Sequence, residues 1–340
     1  MKQWKKTAGV TTAGIAVLAG LTGCATASAS GPQAGSVSVV GFSVLQTANK
    51  QVIADFQKTP AGKGVSFTQS YGASGDQARA VASGLHADEV HLSLEPDVQK
   101  LVDAGVVGKD WATGPHQGVL TQSVVVLVVR KGNPKHIHGW DDLVRPGVQV
   151  VTPNPASSGS AKWNILAAYG SQIAQGRSPA QATEYLKKLI GNTVAMPGSG
   201  HDATTAFEGG TGDVLLSYED EAIEARQAGA DFDYVVPDQT LLIQNTGALT
   251  RNASSASRKF LAFQLSRQGQ TDYAKQGFRP LDPGIDVSVP GANNPQDPFP
   301  QPRTLLSIDK NFGGWDNANT KFFDDTHGLV TKLLADAGKS

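Results

Sequence analysis

SVVVLVVR, residues 123–130, decides the fold class. Six apolar residues stand between Ser123 and Arg130 with no polar one among them. A strand with one face in water alternates apolar and polar. One that does not is covered on both faces, as in a parallel or mixed sheet packed between helices. Outward from this run, short β-branched stretches at 37–40, 65–68, 89–94, 148–152, 213–217, 234–236 and 241–243 read as further strands. Helical patterns lie between them. One runs through Val52, Ile53 and Phe56. Others cover 77–85, 161–176 and 179–190, and an acidic helix starts at Glu219. Repeated strand-then-helix order predicts an α/β architecture.

The chain has 340 residues, more than one core comfortably serves. No Ser/Gly/Pro linker divides its middle. Two discontinuous lobes are therefore expected, one of residues 37–121 plus 246–340 and one of 122–245. The extended runs at 121–125 and 242–246 are the crossing points. Residues 291–303, rich in Asn, Pro and Gln, predict an irregular surface segment, and 305–334 a helical tail docked on a lobe.

Composition excludes several functions. With 29 Lys+Arg against 30 Asp+Glu, the net charge is −1, so there is no basic footprint for nucleic acid. One cysteine excludes a disulfide framework and a cysteine-rich zinc site. That cysteine, Cys24, closes the sequence Leu21-Thr22-Gly23-Cys24. Before it come Lys2, Lys5, Lys6 and the uncharged stretch 8–21, which is too short for an ordinary membrane span. The pattern resembles a bacterial lipobox. It predicts a lipoprotein signal peptide at 1–23, lipid on Cys24, and a flexible tether at 24–36. The alternative is an ordinary secretory leader with an incidental Cys. On the lipobox reading the protein is extracytoplasmic, anchored to the outer face of the bacterial cell membrane. That placement argues against an enzyme needing ATP or NADH.

Catalytic templates fail. Gly72-Ala73-Ser74-Gly75-Asp76 lacks the last Gly of a nucleophile elbow. Ser199-Gly200-His201-Asp202 holds triad residue types in contiguous order, whereas triad members meet from separate segments. His136-Ile137-His138 reads as a surface loop rather than a metal site, and Glu219-Asp220-Glu221 as acids complementing a helix dipole.

Another pattern recurs. Ser70-Tyr71-Gly72-Ala73-Ser74-Gly75, the run 153–160 (PNPASSGS) and Pro197-Gly198-Ser199-Gly200 each lead from a strand or loop into a helix; Gly41-Phe42-Ser43 is a fourth such junction. Helix starts carry unpaired N–H groups and partial positive charge. Glycine lets a ligand approach that backbone, and serine adds a hydroxyl. Taken singly, each junction reads as a plain N-cap. Taken together in an exported two-lobed α/β chain, they predict a clamp for an oxyanion that uses no Lys or Arg.

These stretches also carry a family resemblance. QSYGASGDQARAV (69–81), VVVLVVRKGNPKHIHGWDDLVRPGVQVVTPNP (124–155), SSGSAKWNILAAYG (157–170), GDVLLSYEDEA (212–222), GFRP (277–280) and FGGW (312–315) resemble the sulfate-binding proteins of ABC importers. The resemblance implies a type II periplasmic-binding-protein fold whose two hinged lobes close over sulfate, with a membrane permease as partner. It implies no cofactor, no metal and no catalysis. Ser74 falls on a ligand Ser. Ser158, Gly159 and Ser160 fall on a Ser-Gly-Gly that gives one hydroxyl and two amides. Gly200 falls on a small residue whose amide donates, Tyr218 on the usual Trp, and Ser43 on the usual Asp, which acts through its amide. Ser160 and Ser43 keep the backbone donor. Tyr218 exchanges an N–H for an O–H that also accepts. The 198–201 stretch departs from the usual Ser-Gly-Ala-Arg, and His201 in place of Arg introduces pH sensitivity. Another oxyanion (thiosulfate, molybdate, phosphate), an organic solute, or a secreted serine hydrolase stay as alternatives.

Overall fold

The computed structural model describes residues 35–339. The leader at 1–23, Cys24 and the tether through residue 34 lie outside the described residues. In chain order, β1 (Ser36–Phe42) feeds α1 (Leu45–Lys58), β2 (Ser66–Gly72) feeds α2 (Ser74–Ala82), and β3 (Glu89–Leu92) feeds α3 (Glu95–Asp103). The long β4 (Val119–Arg130) follows. Next come β5 (Val150–Val151), α4 (Gly159–Ala174), α5 (Pro179–Asn192), β6 (Thr193–Ala195), α6 (Gly200–Glu208), β7 (Val214–Tyr218), α7 (Glu219–Gln227) and β8 (Phe232–Val235). β9 (Gln239–Leu249) returns to α8 (Ser255–Gln264) and α9 (Arg267–Lys275). The chain ends in β10 (Thr304–Leu306), α10 (Ile308–Phe312), α11 (Trp315–Ala318) and α12 (Leu329–Asp336).

The sheet runs β2-β1-β3-β9-β4-β7-β5-β6, with β10 beside β9 and β8 beside β4. Pairing is parallel at both ends, β1 with β2 and β3, and β5 with β6 and β7. In the middle β4 and β9 are antiparallel, with Gln122 opposite Gln244 and Ser123 opposite Ile243. From Val125 onward β4 turns to other partners, β7 on one side and, from Leu127, β8 on the other. β9 meanwhile pairs with β3, Thr246 opposite Leu92. These two strands join one half of the sheet to the other.

The apolar run in β4 is explained by what its two faces touch. Val124, Val126 and Val128 enter one core with Phe207, Ile223 and Phe232. Val125, Leu127 and Val129 enter another with Trp140, Leu166 and Leu186. All six are at most 1% exposed. Each contributes roughly 1.5–3 kcal/mol of burial. A third core, Val40, Val90 and Leu101, lies with α2 and α3.

Three helices start earlier than their apolar pattern suggests. α2 and α4 begin at Ser74 and Gly159, not at residues 77 and 161, and α6 begins at Gly200, two residues before the 202–207 helix that its sequence pattern suggests. Their first turns are built of Ser and Gly, which carry no apolar periodicity. α3 has no place in the sequence reading, although Pro96 in its first turn and the flanking Glu95 and Asp97 are helix-start signals.

After α9 the chain enters the irregular segment 276–303. There the Arg279 N–H donates to the Gln122 carbonyl at 2.8 Å. Its guanidinium grips Glu219, Nε to Oε2 at 2.7 Å and Nη2 to Oε1 at 3.1 Å. One buried residue thus ties the crossing strand β4, through its backbone, to the start of α7, through its side chain. The tail, grouped with residues 37–121 in the sequence reading, packs on both halves: α11 meets α3 and α12 meets α5.

Removing one partner from a buried pair strands the other charge. Arg279→Met is therefore expected to cost about 3–5 kcal/mol in urea unfolding. Adding Glu219→Leu to that variant should restore most of the loss. A single-variant loss below about 1 kcal/mol contradicts the account.

Candidate functional site

The predicted site residues sit at helix starts. Ser74, Gly159 and Gly200 open α2, α4 and α6, Ser158 precedes α4, and Tyr218 precedes α7. Ser43 lies between β1 and α1. First-turn amides have no intrahelical partner, so every one of these starts presents N–H donors. No acceptor meets the amides of Ser74, Gly159, Ser160 or Gly200 among the described residues.

Contacts between the halves draw the starts together. The Gly75 N–H donates to the Ser157 carbonyl at 3.1 Å, joining α2 to the segment before α4. The His201 N–H reaches Ser43 Oγ at 3.4 Å, joining α6 to the β1–α1 junction. The Tyr218 hydroxyl lies 2.7 Å from Ser93 Oγ. Two glycines permit this approach. A Cβ on Gly159 would stand 2.7 Å from Ser93 Cβ and 2.9 Å from Leu94 Cγ. One on Gly200 would stand 2.7 Å from Ser160 Oγ and 3.2 Å from Val44 Cγ2. The seven residues predicted for one site are thus gathered in one region. Ser74, Ser158, Ser160 and Tyr218 are buried there.

Their hydroxyls are not equivalent. Ser74 donates to Asp97 Oδ2 at 2.7 Å and accepts the Ser93 N–H at 3.0 Å. Its proton is committed, so only its amide remains for a ligand. Ser199 accepts the Asp202 N–H at 3.1 Å and is a plain N-cap. The Ser158 side chain makes no such cap, although Ser158 holds the same position before α4. Burial pushes the Tyr218 phenol far above its ordinary range, so it stays a neutral hydroxyl. Cations on the flanking helices are already engaged, Arg79 by Asp76 and Lys100 by Asp97.

Ser93 was missed by sequence reasoning, yet it is the most connected residue of the region. Besides Ser74 and Tyr218, its carbonyl accepts Trp163 Nε1 at 3.0 Å and Asn245 Nδ2 at 3.3 Å. The signal was present. Ser93-Leu94-Glu95-Pro96 is a fifth strand-to-helix junction, one without glycine. A cavity of about 650 Å³ lies beside this region and is lined by Arg79, Lys100, Asn154, Lys162, Asn319 and Asp324. It is far larger than a tetrahedral anion requires. Among the site residues named above it contains none, and the geometry of the helix starts outweighs cavity size here.

The remaining candidates are accounted for locally. His136 and His138 are exposed on either side of buried Ile137, and no group of three or more metal-ligating residue types gathers among the described residues. Of the three acids starting α7, Glu219 holds Arg279, and Glu221 Oε2 accepts from Ser217 Oγ at 2.9 Å. The reading of this triplet as dipole complement alone is too simple: all three are buried.

His201 Nδ1 stands 3.8 Å from Glu221 Oε1. The nearby Glu221 carboxylate raises His201 above its usual range, against the opposing effect of burial. One turn on, burial pushes Glu224 up to about 7, with the Glu221 charge adding to it. Both groups hold protons more tightly folded than unfolded. The His201 contribution is complete below about 6.5 and is lost as pH rises through its raised pKa. Glu224 costs stability as pH rises from about 4.5 to about 7. Stability is thus expected to fall between pH 5 and 8. Glu224→Gln should raise stability by about 1–2 kcal/mol at pH 8, a figure discounted for partial exposure, and change it little at pH 5. Thermal melts at the two pH values check this.

The family model described as a bacterial extracellular solute-binding protein matches residues 37–279. A sulfate-binding protein of Synechococcus elongatus is 36% identical, over 95% of this chain and 94% of its own. A sulfate-binding protein of Escherichia coli is 36% identical over 78% and 82%. A thiosulfate-binding protein of Pseudomonas aeruginosa is 33% identical over 84% and 88%. Among solved structures, the sulfate-binding protein SubI from Mycobacterium tuberculosis H37Rv is 42% identical, covers 85% of this chain and all of its own, and superposes with a TM-score of 0.79. A periplasmic thiamin binding protein, 18% identical, shares the fold at a TM-score of 0.63. The fold is therefore the expected type II periplasmic-binding-protein fold, and the chain belongs to the bacterial extracellular solute-binding proteins.

Proposed function

We propose that this protein captures sulfate between its two lobes and presents it to an ABC import permease. The observation that carries this reading is the convergence of helix starts that leave the amides of Ser74, Gly159, Ser160 and Gly200 without a protein acceptor among the described residues. Relatives bearing sulfate- and thiosulfate-binding names over most of the chain support it. The donors are the amides of Ser43, Ser74, Gly159, Ser160 and Gly200, with the hydroxyls of Ser158 and Tyr218. The protein is a carrier, not an enzyme, and it needs no cofactor or metal.

Sulfate is fully ionised near neutral pH and only accepts hydrogen bonds. A donor-only site suits it. A protonated oxyanion such as hydrogenphosphate also needs an acceptor, and leaving its O–H unpaired costs about 1–3 kcal/mol. About seven donors to a charged acceptor contribute roughly 1.5–3 kcal/mol each, and helix ends add about 0.3–1 each. Desolvation of the dianion and closure of the lobes offset much of this. A micromolar or tighter dissociation constant, about 8 kcal/mol, is the expected remainder.

The lobes comprise residues 37–121 plus 246–340 against 122–245, with the end of the tail reaching across to α5. They hinge on β4 and β9, and ligand stabilises the closed form that a permease recognises. The diacylated Cys24 holds the protein on the outer face of the cell membrane. Cys24→Ala should move it from the membrane fraction to the medium; retention in the membrane would sink the anchor.

Calorimetry with sulfate, phosphate and molybdate tests the ligand. Sulfate should bind at micromolar or tighter concentration, and phosphate tens-fold more weakly. Gly159→Ala places a methyl against Ser93 and Leu94 across the closure, and should weaken sulfate about 10- to 100-fold, or about 1.4–2.8 kcal/mol. Trp163, which donates to the Ser93 carbonyl, should report closure by a fluorescence change on adding sulfate. No heat and no fluorescence change with sulfate would overturn the reading.

A further inference from the structure

We infer that Ser93 is a specificity-determining residue: its hydroxyl covers an acceptor lone pair of Tyr218 and turns that phenol into a one-way donor. The inference rests on the oxyanion reading above and deepens it. Tyrosine is an imperfect replacement for an indole N–H. Its oxygen both donates and accepts, and an exposed lone pair in the site would welcome the proton of the wrong anion.

Ser93 sits where it removes that defect. It is 1% exposed and Tyr218 is 0% exposed, with their oxygens 2.7 Å apart. Its backbone is held from three sides. The N–H donates to Ser74 Oγ, and the carbonyl accepts from Trp163 on α4 and from Asn245 on β9. Ser74 is itself pinned by Asp97. Packing against Gly159 leaves the side chain little room to swing away.

Proton counting gives the direction. The pair has two hydroxyl protons and one mutual hydrogen bond, with the Ser160 and Asn245 side chains also beside the phenol. Tyr218 is the only hydrogen-bond partner of Ser93 Oγ among the described residues. With an acceptor-only dianion beside the phenol, both protons find acceptors when Ser93 donates to Tyr218 and Tyr218 donates to the anion. The Tyr218 lone pair facing Ser93 is then occupied, and its burial keeps the phenol neutral. Without the serine hydroxyl the phenol proton can turn from the anion toward Ser160 Oγ, and the lone pair then facing the site accepts from hydrogenphosphate.

The test is competition calorimetry at pH 8 with sulfate and inorganic phosphate, on the wild-type protein, Ser93→Ala, Tyr218→Phe and the double variant. Ser93→Ala should lower the sulfate-over-phosphate preference about 5- to 10-fold, mainly through tighter phosphate. That is about 1–1.4 kcal/mol. Ser93→Gly, which removes the same hydroxyl, should shift it in the same direction. In the Tyr218→Phe background, Ser93→Ala should leave the preference within about twofold, because no phenol remains to be covered. An unchanged preference in Ser93→Ala and Ser93→Gly, or an equal shift without the phenol, overturns the role of Ser93 while sulfate binding itself stands. A wild-type protein that does not bind sulfate overturns the site reading and this inference with it.

Discussion

Strand β4 belongs to two cores at once, and the rest of the molecule depends on that. Val124, Val126 and Val128 point into one core, and Val125, Leu127 and Val129 into the other. The same strand leaves β9 for β7 and β8 at Val125. It is therefore too well buried to move as a whole, yet it spans both halves of the sheet. Any relative motion of the halves has to be absorbed where β4 and β9 run side by side. Arg279 braces that point, bonded to β4 through its backbone and to α7 through its guanidinium.

Strands held in this way aim their helices. Each junction of the region lies at the end of a strand or loop and the start of a helix, so the amides of several first turns face one region. Backbone dipoles suit a dianion better than lysines would. They cannot be titrated, they do not collapse onto acids when the ligand leaves, and they are fixed by the helices that carry them. The acids nearby show the opposite choice. Glu219, Asp220 and Glu221 are buried at the start of α7, where Arg279 pairs with Glu219 and His201 stands beside Glu221. The mutual repulsion and burial of these carboxylates is eased by His201 and Glu224, which both hold protons more tightly than usual.

Much of this was legible in the sequence because it depends on local chemistry. The continuous apolar run announced a strand covered on both faces. Ser-Gly clusters announced helix starts, even though the helices begin two or three residues earlier than their apolar periodicity implied. That error has a simple origin: a first turn made of Ser and Gly buries little apolar surface, so it leaves no periodic trace. α3 was overlooked for a related reason. Its first turn, Glu95-Pro96-Asp97, signals a start, but the strand before it was read two residues too long.

The chain alone determined the class of fold, the residue types at each junction, and the chemistry those types permit. These are properties of short segments, set by side-chain size, hydrogen-bonding capacity and backbone freedom. Only the tertiary structure decided which hydroxyls remain free. Ser74, Ser158 and Ser199 look alike in sequence, yet one is bound to Asp97, one caps its own helix, and one does neither. Ser93 and Tyr218 stand 125 positions apart and meet at 2.7 Å. A hydrogen bond is spent on whichever partner folding brings within reach, and that partner is chosen by the packing of distant elements, not by neighbours along the chain.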